Sequence, residues 1–186
     1  YWDDLNWVGR ENPSALPDFS MLLGLLVNSS VTYAKVYAPI SLLFLGVAGW
    51  FLFRSLGFRP VVCLLGAIAF AFNMNAFSNA CWGLPSRATT LASILFAIGA
   101  LHLKPNRLPF LKYILCGFAV GHGIMEGFDV WALYSLVIGA YVVLLTLNEK
   151  GDVGQKGLKA IGWGAVVAAA AAIFAAQALG TLITTQ

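Results

Sequence analysis

The chain has 186 residues, 60% of them hydrophobic and only 10% charged, with 19 glycines besides. Its mean hydropathy is +0.81, whereas a soluble domain is roughly 45–50% apolar with glycine counted and about 25% charged. Eleven basic and eight acidic side chains cannot cover the surface of a soluble protein. This excludes a soluble enzyme, a nucleic-acid binder and a disordered tail, and it points to an all-α, polytopic transmembrane helix bundle.

Residues 1–35 are the most polar part and are expected to form an extracytoplasmic loop. They hold Asp3, Asp4, Glu11 and Asp18 among Trp2, Trp7, Pro13 and Pro17, aromatics suited to the headgroup belt. Their one apolar stretch, Phe19–Val27, is too short to cross a bilayer, so a short interfacial or re-entrant helix is expected there, with Asp18 or Ser20 as its cap. The transmembrane region follows over residues 36–186. A span needs roughly 17–25 apolar residues, and six such runs are read. The first is Val36–Phe53, entered through Pro39 in its first turn. The second, Val61–Phe77, starts after Pro60 and is dotted with Asn73 and Asn75 toward its end. Ala88–Leu103, Leu108–Met125, Val130–Leu147 and Ala160–Ile183 follow. The sixth carries a small-residue face (Gly162, Ala165, Ala169, Ala172, Ala176) that suits either close helix packing or plain alanine filling of a helix. The three cysteines form no CxxC pair, so neither a disulfide framework nor a zinc site is expected. With Tyr1 first and no basic-then-apolar leader, the sequence reads as part of a longer chain.

Charge orients these spans. Eight of the eleven lysines and arginines fall in the segments 54–60, 104–112 and 148–159, and six of the eight acids fall in the alternate set. The positive-inside rule then puts those three segments in the cytoplasm and residues 1–35 outside an inner, cytoplasmic membrane. On that topology the unusual polar groups gather at the outer face: Asp3, Asp4, Asn73, Asn75, Asn79, Arg87, His122, Glu126 and Asp129.

His122 and Glu126 are four apart and Glu126 and Asp129 three, so one helical face would carry all three if the helix continued. Such a set could hold a hard divalent ion such as Mg²⁺ or Mn²⁺; equally, a carboxylate of a polar loop could pair with Arg87. Asp3 and Asp4 read either as solvated loop acids or as a metal ligand or general base, which makes Asp3, Asp4, Glu126 and Asp129 the metal candidates. Arg87 could receive a phosphate, because guanidinium matches it in a bidentate fashion. The lysines of the cytoplasmic segments read as anchors for anionic lipid.

The order of features, through Phe51-Leu-Phe-Arg-Ser-Leu-Gly57, Gly66-Ala-Ile-Ala-Phe-Ala-Phe-Asn73 and Trp82-Gly-Leu-Pro85, resembles the YfhO-like bacterial membrane proteins of the GT-C glycosyltransferase superfamily. The resemblance covers about residues 1–145. It implies an enzyme that transfers a sugar from a polyprenyl-phosphate donor to an extracytoplasmic acceptor. It further implies that Asp3 or Asp4 is the catalytic carboxylate of the first outer loop and that a basic group such as Arg87 receives the leaving lipid phosphate; the outer-face clustering adds His122, Glu126 and Asp129 to Arg87 as substrate-binding candidates. From the residues alone, a transporter or flippase and a non-catalytic scaffold subunit remain open beside it.

Overall fold

The computed structural model describes residues 2–3, 10–11, 19–27, 29–104, 110–149, 152–176 and 180. Among these the expected all-α architecture holds. Eight helices run in chain order: α1 (Phe19–Leu26), α2 (Ser30–Ser55), α3 (Pro60–Ala71), α4 (Met74–Cys81), α5 (Ser86–Leu101), α6 (Leu111–Glu126), α7 (Phe128–Leu147) and α8 (Val153–Phe174). One small departure precedes them: β1 (Trp2–Asp3) pairs antiparallel with β2 (Arg10–Glu11), setting Asp3 opposite Arg10.

The helix ends follow from local chemistry. Gly57, at φ +86°, closes α2. The Phe58 amide donates to the Phe53 carbonyl and the Gly57 amide to that of Arg54, each at 3.1 Å, the paired bonds of a glycine-terminated helix. Pro60 then opens α3, where its missing N–H costs nothing. Gly83, at φ +82°, ends α4 in the same manner as Gly57 ends α2.

Three boundaries depart from the sequence reading. Pro39 is not at the start of a helix but inside one, because α2 already begins at Ser30. The expected second span is broken. The side-chain oxygen of Asn73 accepts from the amides of Asn75 (3.0 Å) and Ala76 (3.2 Å), capping a new helix where the old one would have continued. The α3–α4 pair is bent by 41°. The sixth helix starts seven residues before the expected Ala160, at Val153, where the Asp152 carboxylate accepts from the Gly154 amide at 3.0 Å.

α2 and α8 are long and apolar enough to cross a membrane, and the bent α3–α4 pair would make a third such element. The helices pack in the spatial order α3, α2, α5, α6, α8, α7. α2 runs antiparallel to α3, with Gly46 against Ala67 and Ala71 and Gly66 against Phe53. α6 runs antiparallel to α5 and parallel to α8, where Tyr113 stacks on Trp163 with centroids 4.3 Å apart. The bundle therefore has two distinct ends. Lys112, Glu149 and Lys159 meet at one, and Asn73, Arg87 and Val130 at the other.

The distribution of polarity is inverted relative to a soluble fold. Large apolar side chains face outward on α2 (Leu43, 65% exposed), α3 (Val61), α7 (Leu136) and α8 (Ile173). A water-facing surface rarely carries so continuous an apolar cover. Hydroxyls point inward instead: Ser41, Thr89, Thr90, Ser93 and Thr146 are buried, and several satisfy themselves on the carbonyl one turn back, as Thr146 does on Val142 at 2.8 Å. The molecule is a helical membrane protein.

Close helix approach in lipid relies on small residues, since tails and side chains are equally apolar. The sequence reading places these on the Gly162–Ala176 face of α8, and that face is exposed. The packed face of α8 holds Val167, Ala170 and Ala171, and the glycines it meets are on α6. A β-carbon at Gly117 would stand 2.5 Å from that of Ala170, and one at Gly121 2.8 Å from the Ala171 carbonyl oxygen. Hydropathy finds the apolar segment but carries no information about which of its faces has a neighbour.

Candidate functional site

The end of the bundle opposite the lysines holds two polar constellations on either side of the first turns of α5. The first is centred on Glu126, the last residue of α6, whose side chain is only 1% exposed. Its Oε1 accepts from the backbone amide of Phe19, and its Oε2 from the Thr89 hydroxyl, both at 2.5 Å. Phe19 is the first residue of α1, so a carboxylate more than a hundred residues away caps that helix. An anion at a helix N-terminus also meets the positive end of its dipole. Glu126 thus serves the Phe19 amide; of the two expected caps, Asp18 lies outside the described residues, and Ser20 sits inside the helix, in its first turn.

The Thr89 hydroxyl is also 2.8 Å from the Ser86 carbonyl. One hydroxyl has one proton, so an ionised Glu126 takes it by the stronger, charge-assisted bond; a protonated Glu126 would itself donate to Thr89, freeing the hydroxyl for Ser86. The same geometry serves both states. His122, one turn earlier on α6, has Nε2 3.7 Å from Glu126 Oε1 and Nδ1 2.8 Å from Ser93 Oγ. Ser93 Oγ is also 3.0 Å from the Thr89 carbonyl, so Nδ1 donates to Ser93 when the hydroxyl proton goes to that carbonyl and accepts when it goes to the ring; in either case Nε2 is the nitrogen turned toward the carboxylate. The His122 side chain is 21% exposed, which leaves the ring open to the surface while Glu126 is not.

The second constellation is a cavity of about 130 Å³ lined by Asn73, Asn75, Asn79, Arg87, Thr90 and Tyr134, among others. The bend at Asn73 creates it by turning α4 across the bundle end. Asn79 is held by its amide, which donates to the Asn75 carbonyl (2.9 Å) and side-chain oxygen (3.0 Å). Arg87 is exposed, lines the cavity and makes no ion pair among the described residues. Thr89 and Thr90 are neighbours: one bonds Glu126, and the other lines this cavity.

The expected site residues therefore divide. His122 and Glu126 share a face of α6 as the spacing predicts. Asp129 does not join them on a continuing helix: the chain breaks at Gly127 (φ −169°, ψ 84°), and Asp129 belongs to α7; its side chain lies outside the described residues. Glu126 is partnered by Thr89, Phe19 and His122 rather than by Arg87. Asp3 sits on β1, with its side chain outside the described set, and Asp4 lies outside it altogether. Among the described residues no three His, Cys, Asp or Glu side chains gather as a metal site. The metal candidates Asp3, Asp4 and Asp129 have side chains outside the described residues. No family model, curated protein or solved structure matches the chain.

Sequence reasoning missed Thr89, Ser93 and the Phe19 amide. A signal exists for the first two. Thr89-Thr90 and Ser93 place hydroxyls a turn apart in an otherwise apolar run, and a hydroxyl buried in a bundle needs a partner. A backbone amide as ligand leaves no trace in sequence.

Proposed function

We propose that the chain is the membrane part of a GT-C-like glycosyltransferase. It would move a sugar from a polyprenyl-phosphate donor to an acceptor on the extracytoplasmic side of the cytoplasmic membrane. The observation that carries the reading is the gathering of Arg87, with Asn73, Asn75 and Asn79, around a cavity at the same end as the His122–Glu126 pair. In this reading α2, the α3–α4 pair and α5 to α8 make six crossings. The lysine-rich end faces the cytoplasm, where the positive-inside rule favours it. Arg87 receives the phosphate that leaves with the lipid, while Asp3 or Asp4 serves as general base for the acceptor hydroxyl or holds a divalent ion. The test is transfer of labelled sugar from a polyprenyl-phosphate donor by the full-length protein in membranes. Arg87→Ala should raise the KM for donor, whereas Asp3→Asn with Asp4→Asn should abolish turnover; full activity in the paired Asp variant removes the catalytic role given to them.

A second reading, a transporter or flippase, draws on the 41° break between α3 and α4, since transporters build midplane sites from interrupted helices. Substrate uptake into proteoliposomes without sugar transfer would favour it.

A further inference from the structure

The opposite, lysine-rich end carries a cavity that the catalytic reading does not use. It is an open cleft of about 450 Å³ between the start of α6, Glu149 after α7 and the second to fourth turns of α8. Its floor is aromatic: Tyr113, buried, stacks on Trp163 with centroids 4.3 Å apart and planes 7° from parallel. Two lysines, Lys112 and Lys159, line the cleft with it. Lys112 holds its Nζ 4.8 Å from the centroid of the Tyr113 ring, and no carboxylate pairs with it among the described residues. Lys159, from α8, makes a loose bridge to Glu149 at 3.7 Å, with both side chains substantially exposed, so an anion can displace that contact at little cost. Gly162 leaves the wall open, since a β-carbon there would meet nothing within 4 Å.

We propose that this cavity binds the phosphodiester headgroup of an anionic membrane lipid, with Lys112 and Lys159 clasping the phosphate and the Tyr113–Trp163 stack supporting the glycerol. A lipid is favoured over a soluble phosphate by what surrounds the opening. Leu158 and Ile161 flank Lys159 on α8 and are 74% and 72% exposed, so they offer apolar surface to acyl chains beside the charged pocket. Basic pockets between helices at the cytoplasmic face are where such headgroups bind. The site stands independently of the glycosyltransferase reading, because no residue of it belongs to the other end.

The test uses the full chain in nanodiscs of phosphatidylcholine doped with phosphatidylglycerol. Native mass spectrometry counts the lipids retained, and titration gives their affinity. Wild-type protein should retain one phosphatidylglycerol in preference to phosphatidylcholine, more weakly as salt rises. The Lys112→Ala/Lys159→Ala variant should lose affinity by about 30-fold, from about fivefold per lysine, and Lys112→Arg/Lys159→Arg should retain most of it. Lys104→Ala, whose side chain does not line the cavity, should change nothing. Circular dichroism checks that the variants stay folded; the preference and salt dependence of the wild-type protein test the site even if they do not. Equal retention of the two lipids overturns the proposal, as does an unchanged affinity in a folded double-alanine variant. Binding of inorganic phosphate as tight as that of phosphatidylglycerol would also overturn it, by making the occupant a soluble phosphate.

Discussion

Replacing Glu126 with alanine isolates the contact that ties α1 to the bundle. Among the described residues its carboxylate meets the Phe19 amide, the Thr89 hydroxyl and the His122 ring, with unequal consequence. The Thr89 hydroxyl has a second acceptor waiting, the Ser86 carbonyl at 2.8 Å, so its loss is small. The His122 ring keeps Ser93 at 2.8 Å. The Phe19 amide has no such recourse, because a first-turn amide has no acceptor within its own helix. Losing a hydrogen bond to a charged group costs about 1.5–3 kcal/mol, and removing the anion from the N-terminus of α1 a further 0.3–1 kcal/mol or so. α1 then keeps the Phe19–Phe44 stack, at 5.1 Å, and the buried Leu23. A loss of about 2–4 kcal/mol shifts the docking equilibrium of α1 by roughly two orders of magnitude. Hydrogen–deuterium exchange of the full chain in nanodiscs should show this as faster exchange confined to residues 19–26, with α5 and α6 little changed. Glu126→Gln keeps an oxygen for the Phe19 amide and should show less than half the effect. Unchanged exchange of residues 19–26 in Glu126→Ala would refute the latch, and acceleration spread evenly over α5 to α8 would show that Glu126 supports the bundle rather than α1.

Gly123→Ala should be the most disruptive added methyl among the described glycines. Its β-carbon would collide with the indole of Trp131, which is fully buried, so the indole must move; we expect a loss at or above the usual 1–3 kcal/mol or so of overpacking, read as a lower unfolding temperature in detergent. Gly121→Leu should separate α6 from α8, because even a β-carbon sits 2.8 Å from the Ala171 oxygen; a crosslink between cysteines placed on α6 and α8 would then form more slowly. Asn73→Ala removes the cap of α4 and should cost about 1 kcal/mol, with α3 and α4 moving toward one straight helix; an unchanged distance between spin labels on the two would count against the cap as the cause of the bend.

The helices were legible because apolar runs bounded by Pro60, Pro85 or charged residues leave little choice of element. Their internal geometry was less so. An asparagine in a hydrophobic run reads as a polar interruption at a span's end; that Asn73 instead starts a new helix depends on its own amide partners two and three residues on. The α8 packing face could not be read from α8, because its determinant is the pair Gly117 and Gly121 on another helix. At the site, the four-residue spacing of His122 and Glu126 is enough to place both on one face. The break at Gly127 that detaches Asp129 reflects backbone conformation rather than polarity. The partner of Glu126, the amide of Phe19, is 107 positions away, beyond any local pattern.

α6 concentrates these dependencies. At 100° per residue, Gly117 and Gly121 point about 140° around the helix from His122 and Glu126. One stripe sets how closely α6 lies against α8; the other presents an imidazole and a carboxylate to α5 and α1. Gly123 faces a third direction, beneath Trp131. Because the bilayer supplies no hydrophobic force between helices, the position of α6 rests on these close contacts, and with it the placement of Glu126 against Thr89. Thr89 in turn adjoins Thr90 at the Arg87 cavity. A shift of α6 by the width of one methyl would therefore be felt first at the α1 latch and next at the cavity, although no glycine of α6 lines either. Glycine substitutions that leave the fold intact should accordingly loosen α1 before they lower the stability of the bundle, in an order opposite to that expected if the site were rigidly independent of the packing beneath it.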